Sequence, residues 1–392
     1  MAKKMAKEPE KTTKPKKESR FIFVEGEIDY TFLVIVILIV AAGLVMLLSA
    51  SAPVGMQEGD PYSFFKKQVV FAILGFAGMW FVSKLDHRTY QKFLPFFMAV
   101  CGVLLVMVLL PGTGRRINGS SRWLNTPVIP LQPSEFAKPI IAMCFAYMIS
   151  WNKFDLKTLK GNAPFLGIIG AISLLMLLET HLSGTIVIAG IAMVVLLVGG
   201  APLRKYLMAG AIVLPVGVLT VWLVDAERWS RVLSFLDPFA DMQDSSYQIS
   251  QALYAIGSGK LFGLGLGESV QKYSYLPEPY NDFIFAIICE ELGLIGGLVV
   301  IALFLALILR GIRIILHAPD TYTTLTATGI VAHIAIQTIL NIAVATSTVP
   351  NTGVALPFFS YGGTSILTLL IEMGILLNIS RYEKRTIKSK KK

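Results

Sequence analysis

YTFLVIVILIVAAGLVMLLSA, residues 30 to 50, is an uncharged run of twenty-one residues. A helix rises about 1.5 Å per residue, so this run reaches across the roughly 30 Å hydrocarbon core of a bilayer. Comparable blocks recur near residues 66–84, 94–111, 131–150, 164–180, 184–200, 205–224, 283–310, 322–348 and 357–380. The whole chain is 54% hydrophobic and 15% charged, with mean hydropathy +0.66. A soluble chain carries nearer ~25% charge. These features predict an all-α polytopic membrane protein with ten transmembrane helices and a large extracytoplasmic loop, residues 225–281, between the seventh and eighth. The fifth and sixth spans are divided only by ETHLSG, residues 179 to 184; if that break is a kink, the count is nine.

Charge sets the expected topology. With ten spans and an inward-facing N-terminus, 25 of the 35 Lys and Arg residues fall on the cytoplasmic side. The positive-inside rule therefore predicts both termini in the cytoplasm, and favours ten spans over nine. It also accounts for the net charge of +10 without invoking nucleic acid. The five tryptophans lie near predicted span ends, as interfacial anchors do. Residues 1–29 are rich in Lys, Pro and Glu and read as a disordered cytoplasmic tail. Residues 30–380 form the membrane domain, and 381–392 a basic cytoplasmic tail. The first apolar run is too long for a cleavable signal peptide and lacks a small-residue exit site. Cys101, Cys144 and Cys289 lie inside spans with no ligand spacing and read as small core residues.

The polar groups are concentrated at two places. One is the segment 112–130, GTGRRINGSSRWLNTPVIP, with the head of the span that follows. There, in LQPSEFAKP, Glu135 and Lys138 share a helix face and pair. The other is the loop 225–281. Its YQISQALYAIGSGKLFG places Ile249, Leu253 and Ile256 at helical spacing, so it lies on the membrane or folds back over the bundle. The glycines of GLGLG, 263 to 267, lack the pattern of a phosphate loop and read as a turn. The loop ends in YLPEPYNDFIF, 275 to 285, which sets Glu278 and Asp282 at the mouth of a span. A carboxylate near hydrocarbon is costly unless it is paired or used. Glu179 and His181 mark the hinge between the fifth and sixth spans, and His333 and Asn341 share a region of the ninth.

Four ordered segments resemble the SEDS (shape, elongation, division and sporulation) family. They are SSRWLNTPVIPLQPSEFAKP, RWSRVLSFLDPFADMQDSSYQISQAL (228–253), GLGLGESVQKYSYLPEPYNDFIFAIICEELGLIG and PNTGVALPFFSYGGTSIL (350–367). Their details are closer to the FtsW and SpoVE branch than to RodA. The resemblance implies ten transmembrane helices in the bacterial cytoplasmic membrane. It also implies a glycosyltransferase that polymerises lipid II during septal cell-wall synthesis, with divisome proteins and a class B penicillin-binding protein transpeptidase as partners. The family's essential aspartate falls on Asp282. Many members carry His-Thr before it, where this chain has Tyr280-Asn281. Relatives often carry a Gln-Pro-Asp-type segment after the fifth span, where this chain has Glu179, His181 and Ser183.

On this reading, Asp282 is the general base that takes a proton from an acceptor hydroxyl. The leaving pyrophosphate calls for cations. Arg115, Arg116, Arg122, Arg228, Arg231, Lys138 and Lys272 are the substrate-binding candidates, with Glu135, Gln248, Glu278 and Ser360 as polar contacts in the matched segments. Asp282 and Glu278 are the expected holders of a divalent cation, Mg or Mn, if one assists. Two other classes fit the same chain: a lipid II flippase, and a non-catalytic scaffold for a transpeptidase.

Overall fold

A computed structural model describes residues 27–117, 120–124, 130–151, 153–224, 226–239 and 246–389. The tails beyond these bounds, and the readings made for them, lie outside the described residues. Of Arg115, Arg116 and Arg228 the backbone alone belongs to that set.

Every predicted span coincides with a helix. In chain order these are α1 (Tyr30–Gln57), α2 (Ser63–Lys84), α3 (His87–Leu109), α4 (Pro133–Ser150), α5 (Leu159–Leu178), α6 (Leu182–Val198) and α7 (Leu203–Val224). After two shorter loop helices, α8 (Ala226–Leu236) and α9 (Tyr247–Ser258), come α10 (Ile284–Leu316), α11 (Thr321–Ala345) and α12 (Gly363–Ser389). Among the described residues, α1, α2, α3, α5, α10, α11 and α12 are long and apolar enough to cross a membrane, and α6 is a shorter apolar helix. The molecule is thus a multi-pass membrane protein. The ETHLSG break separates two helices: Glu179 caps α5, Thr180 takes a left-handed φ of 57°, and α6 starts at Leu182. Trp80, Trp151 and Trp222 stand exposed at helix ends, Lys84 lies 4.2 Å over the Trp80 ring and Lys153 lies 4.4 Å over the Trp151 ring. The three cysteines are free and buried.

Asp29 ties one face of the bundle together. Its side chain accepts from the Phe32 N–H and so caps α1. The same carboxylate takes a forked pair of bonds from Arg310 at the end of α10, at 2.7 and 3.1 Å, a strong geometry for Arg and carboxylate. Its own N–H donates to Ser380 of α12 at 3.1 Å. The beginning of α1 and the end of α12 therefore share one face.

The opposite face carries the loops, and they have structure of their own. The 112–130 segment contains an antiparallel hairpin of β1 (Gly114–Ile117) and β2 (Ser120–Leu124) with a register shift between Arg115 and Arg116. α9 buries Ile249, Ala252 and Ala255 against the bundle. The loop folds back, as one of its two expected outcomes has it.

The stretch after α9 is pinned to α10 twice. At Gly293 the α10 backbone leaves helical geometry, with φ 68° and ψ −170°. Residues 260 to 265 fill the gap: the N–H groups of Leu264 and Gly265 donate to the carbonyls of Glu290 and Glu291, each at 3.0 Å, and Leu294 N–H returns a bond to Lys260 at 2.9 Å. The two backbones touch at Gly263 and Gly293, where any Cβ would overlap the facing chain. The second pin is polar. Glu290 accepts from the Ser269 hydroxyl at 2.5 Å and the Val270 N–H at 3.0 Å. Glu291 accepts from Lys272 Nζ at 2.8 Å and from Ser49 of α1 at 2.6 Å. Both carboxylates thus face the loop.

Lys272 and Glu291 form a buried ion pair, so removing one partner strands the other charge. Lys272→Met is expected to destabilise the protein by about 3–5 kcal/mol, read as a lowered thermal unfolding midpoint in detergent. Adding Glu291→Gln to that variant is expected to recover most of the loss.

Candidate functional site

Asp282 lies immediately before α10, and its surroundings can be built up from the chain on either side. Tyr280 packs its ring 4.8 Å from Phe64 and 6.2 Å from Tyr361. Asn281 donates its side-chain amide to Glu278 Oε2 at 2.6 Å, and its carbonyl accepts from the Ser360 hydroxyl at 2.6 Å. This explains the Tyr-Asn lead-in: Tyr280 anchors the loop by packing, and Asn281 orients Glu278. The carbonyl of Asp282 itself accepts from Asn341 of α11 at 2.8 Å, and the same amide nitrogen donates to the Val354 carbonyl at 2.7 Å.

The wall facing Asp282 is irregular chain, residues 346 to 362. The predicted span from 357 to 380 starts later than expected, because α12 begins only at Gly363. Irregular backbone at membrane depth must find partners inside the protein. Here Ser360 Oγ accepts from the Leu356 N–H at 2.7 Å, Gln337 donates to the Ala355 carbonyl at 3.0 Å, and Gln68 donates to the Ser360 carbonyl at 3.3 Å and accepts from the Gly362 N–H at 3.2 Å. Gly353 closes the approach. Its φ is 66°, and a Cβ there would stand 3.2 Å from Asp282 Oδ2.

The Asp282 backbone is therefore fixed while its carboxylate makes no hydrogen bond among the described residues. Burial pushes its pKa up to about 6, and the neighbouring Glu278 pushes the same way; Arg122 and Arg231 oppose them. The arrangement is a half-buried carboxylate with a second carboxylate and two guanidinium groups acting on it. The turn that precedes it, residues 276 to 280, lines a cleft of about 610 Å³ whose walls also include Gln248 and Lys272. Gln248 bridges two of its rims: Oε1 accepts from Asn351 at 2.8 Å, and Nε2 reaches the Pro277 carbonyl at 3.5 Å.

The sequence candidates divide three ways. Glu278, Gln248 and Lys272 line the cleft, and Glu278, Arg122 and Arg231 reach Asp282 electrostatically. Arg122 also donates to the Thr180 carbonyl at 2.8 Å, joining β2 to the α5–α6 hinge. There Glu179 is buried, with neither carboxylate oxygen hydrogen-bonded among the described residues. Glu135 and Lys138 pair at 2.6 Å as expected, and Lys138 also donates to Gln337 Oε1 at 3.0 Å. This second polar layer lies about one helical turn along α11 from Asn341, hence from Asp282.

Two candidates also carry structural bonds. Lys272 lines the cleft, and its three N–H donors go to Glu291, Ser49 and the Gly267 carbonyl. It holds the loop. Ser360 is expected at the substrate, and its hydroxyl donates to Asn281 and accepts from Leu356. It clamps the Asp282 turn. The side chains of Arg115, Arg116 and Arg228 lie outside the described residues. Sequence reading missed Gln337 and Glu372; polar residues in the spans facing Lys138 and His333 were the available signal.

For a cation, the described residues offer no cluster of three or more His, Cys, Asp or Glu side chains. Asp282 and Glu278 do stand close enough for Glu278 to raise the Asp282 pKa.

A family profile described as cell cycle protein, FtsW/RodA/SpoVE, matches residues 29–385. The chain is 41% identical to the stage V sporulation protein E of Bacillus subtilis, over 91% of this chain and 98% of that one. It is 38% identical to a probable peptidoglycan glycosyltransferase FtsW of Geobacter metallireducens, over 91% and 96%. A solved structure of a peptidoglycan synthase complex, titled for its structural coordination of polymerization and crosslinking, contains a chain that superposes with TM-score 0.77 at 25% identity, covering 91% of this chain and 98% of that one.

Asn341 is the tie between Asp282 and the irregular wall. Asn341→Leu frees the carbonyls of Asp282 and Val354 together. Hydrogen–deuterium exchange is expected to rise in the 278–283 and 350–362 segments while the α1 and α12 cores stay protected.

Proposed function

Because this chain belongs to the FtsW/RodA/SpoVE family of cell cycle proteins, we propose that it is a peptidoglycan glycosyltransferase that polymerises lipid II into glycan strands. The observation that carries the reading is the presentation of Asp282. Its backbone is clamped from α11 and the 346–362 wall, while its carboxylate is left without a hydrogen bond among the described residues and poised near neutral pH.

The reaction moves a sugar from a polyprenyl pyrophosphate to a hydroxyl of a second saccharide. Asp282 takes the hydroxyl proton as the oxygen attacks the anomeric carbon, and the bond to the pyrophosphate oxygen breaks. Attack from the opposite face inverts the anomeric carbon and forms no sugar–enzyme bond. Charge growing on the pyrophosphate is met by Arg122 and Arg231, which already act on this carboxylate. Lys138 supplies a third cation deeper in the bundle, held by Glu135 and Gln337. A divalent cation held by Glu278 and the pyrophosphate oxygens would add neutralising charge at the same place.

The shared face of Asp29 and Ser380 supports placing both tails on one side, and the Lys and Arg bias makes that side the cytoplasm. Asp282 and the loops then face outward in the bacterial cytoplasmic membrane, where septal wall is built. A class B penicillin-binding protein is the proposed partner, alongside divisome proteins. The support is the synthase complex whose chain this one resembles.

The test is polymer formation from lipid II by the purified protein with its transpeptidase. Wild type is expected to make glycan chains, and Asp282→Asn to lose on the order of 10²–10⁴-fold, the range for a general base. Normal polymer from Asp282→Asn would remove the assignment. If no polymer forms while lipid II crosses liposomes, the chain is a flippase.

A further inference from the structure

One face of α11 presents three polar residues four apart, His333, Gln337 and Asn341, so they stack one turn above another. Asn341 holds Asp282 and Gln337 holds Lys138. His333 touches neither substrate-facing group. Its Nδ1 lies 2.9 Å from Glu372 of α12, and its Nε2 lies 2.8 Å from Gln337 Oε1. All four of these groups are buried.

The hydrogen-bond directions can be assigned from the ends of the chain inward. Gln337 Nε2 meets the Ala355 carbonyl, which only accepts, and Gln337 Oε1 meets Lys138 Nζ, which only donates. Flipping the amide would set NH₂ against ammonium and oxygen against carbonyl. The orientation of Gln337 is therefore forced. Its Oε1 must then accept from His333 as well, so Nε2 of the imidazole carries a hydrogen. A proton remains on the line between Nδ1 and Glu372, wherever along it the proton rests.

We propose that His333 and Glu372 are positioning residues that hold Gln337 by hydrogen bonding and so aim Lys138 at the floor of the site beneath Asp282. Glu372 fixes the imidazole, the imidazole fixes the amide oxygen, and the amide oxygen shares Lys138 with Glu135. Without this chain the Lys138 ammonium keeps Glu135 but loses its second acceptor, and it swings about the Glu135 contact. The amide that supports Ala355 loosens with it, which reaches the wall opposite Asp282. The inference rests on the glycosyltransferase reading, in which Lys138 steadies charge on the leaving pyrophosphate.

A double-mutant cycle tests it, using the full-length protein with its transpeptidase and lipid II. His333→Leu and Gln337→Leu are expected to lower kcat about tenfold or more, with KM for lipid II changed less than about threefold. Lys138→Met is expected to lose at least as much. The decisive result is non-additivity: His333→Leu in the Lys138→Met background is expected to cost little further, because its effect passes through Lys138. Thermal unfolding midpoints keep the comparison to folded protein, and Gln337→Leu serves if His333→Leu does not fold. Multiplicative losses, or a His333→Leu enzyme with normal kcat, would overturn the inference while a dead Asp282→Asn left the glycosyltransferase reading standing. A fully active Asp282→Asn would sink that reading instead.

Discussion

A stretch of irregular backbone can sit inside a membrane bundle only if the protein satisfies its polar groups. Residues 346 to 362 impose that constraint here, and much of the site follows from it. The segment meets α11 through Asn341 and Gln337, α2 through Gln68, and the Asp282 turn through Ser360. Three of these contacts also fix something else. Asn341 fixes Asp282, Gln337 fixes Lys138, and Ser360 fixes the peptide before Asp282. Satisfying the wall and building the site are one set of interactions.

The outer loop is held by a separate device. Glu290 and Glu291 are spent on the 267–272 segment, and Gly263 and Gly293 let loop and helix backbones meet. This anchoring lies eight to eleven residues beyond Asp282 on α10. It leaves the YLPEPYN turn supported from both ends, so the carboxylate is presented by a braced turn rather than by a free loop. The cost of burying Lys272 with Glu291 is offset by Ser49 and the Gly267 carbonyl, which complete the lysine's donors.

Long-period features were legible in the sequence and pairings were not. Apolar blocks of span length each fell on a helix, because hydrocarbon thickness sets a length that composition reveals directly. Asp282 was legible for a related reason: a carboxylate at the mouth of a span is conspicuous. The structural bonds of Lys272 and Ser360 were not legible, because sequence shows that a residue is polar but not that its donors go to Glu291 and Asn281. Glu372 and Gln337 were missed because their partners stand on other helices. A lone polar residue within a span has no periodic signature, and His333 next to Glu372 exists only once α11 and α12 pack. The break at Gly293 was hidden too, since a glycine in an apolar run looks the same whether or not the helix continues.

The central claim is that Asp282 works as a base whose proton affinity is set by its neighbours. The pH dependence of kcat/KM for glycan polymerisation, which reports the free enzyme, tests it most directly. A raised carboxylate pKa means the base form is lost as pH falls, so the account predicts an acid limb with its midpoint at about 6. It further predicts that Glu278→Gln, which removes the adjacent negative charge, moves that limb to lower pH. A rate that stays flat as pH falls through that midpoint, or a limb that Glu278→Gln leaves in place, would contradict it.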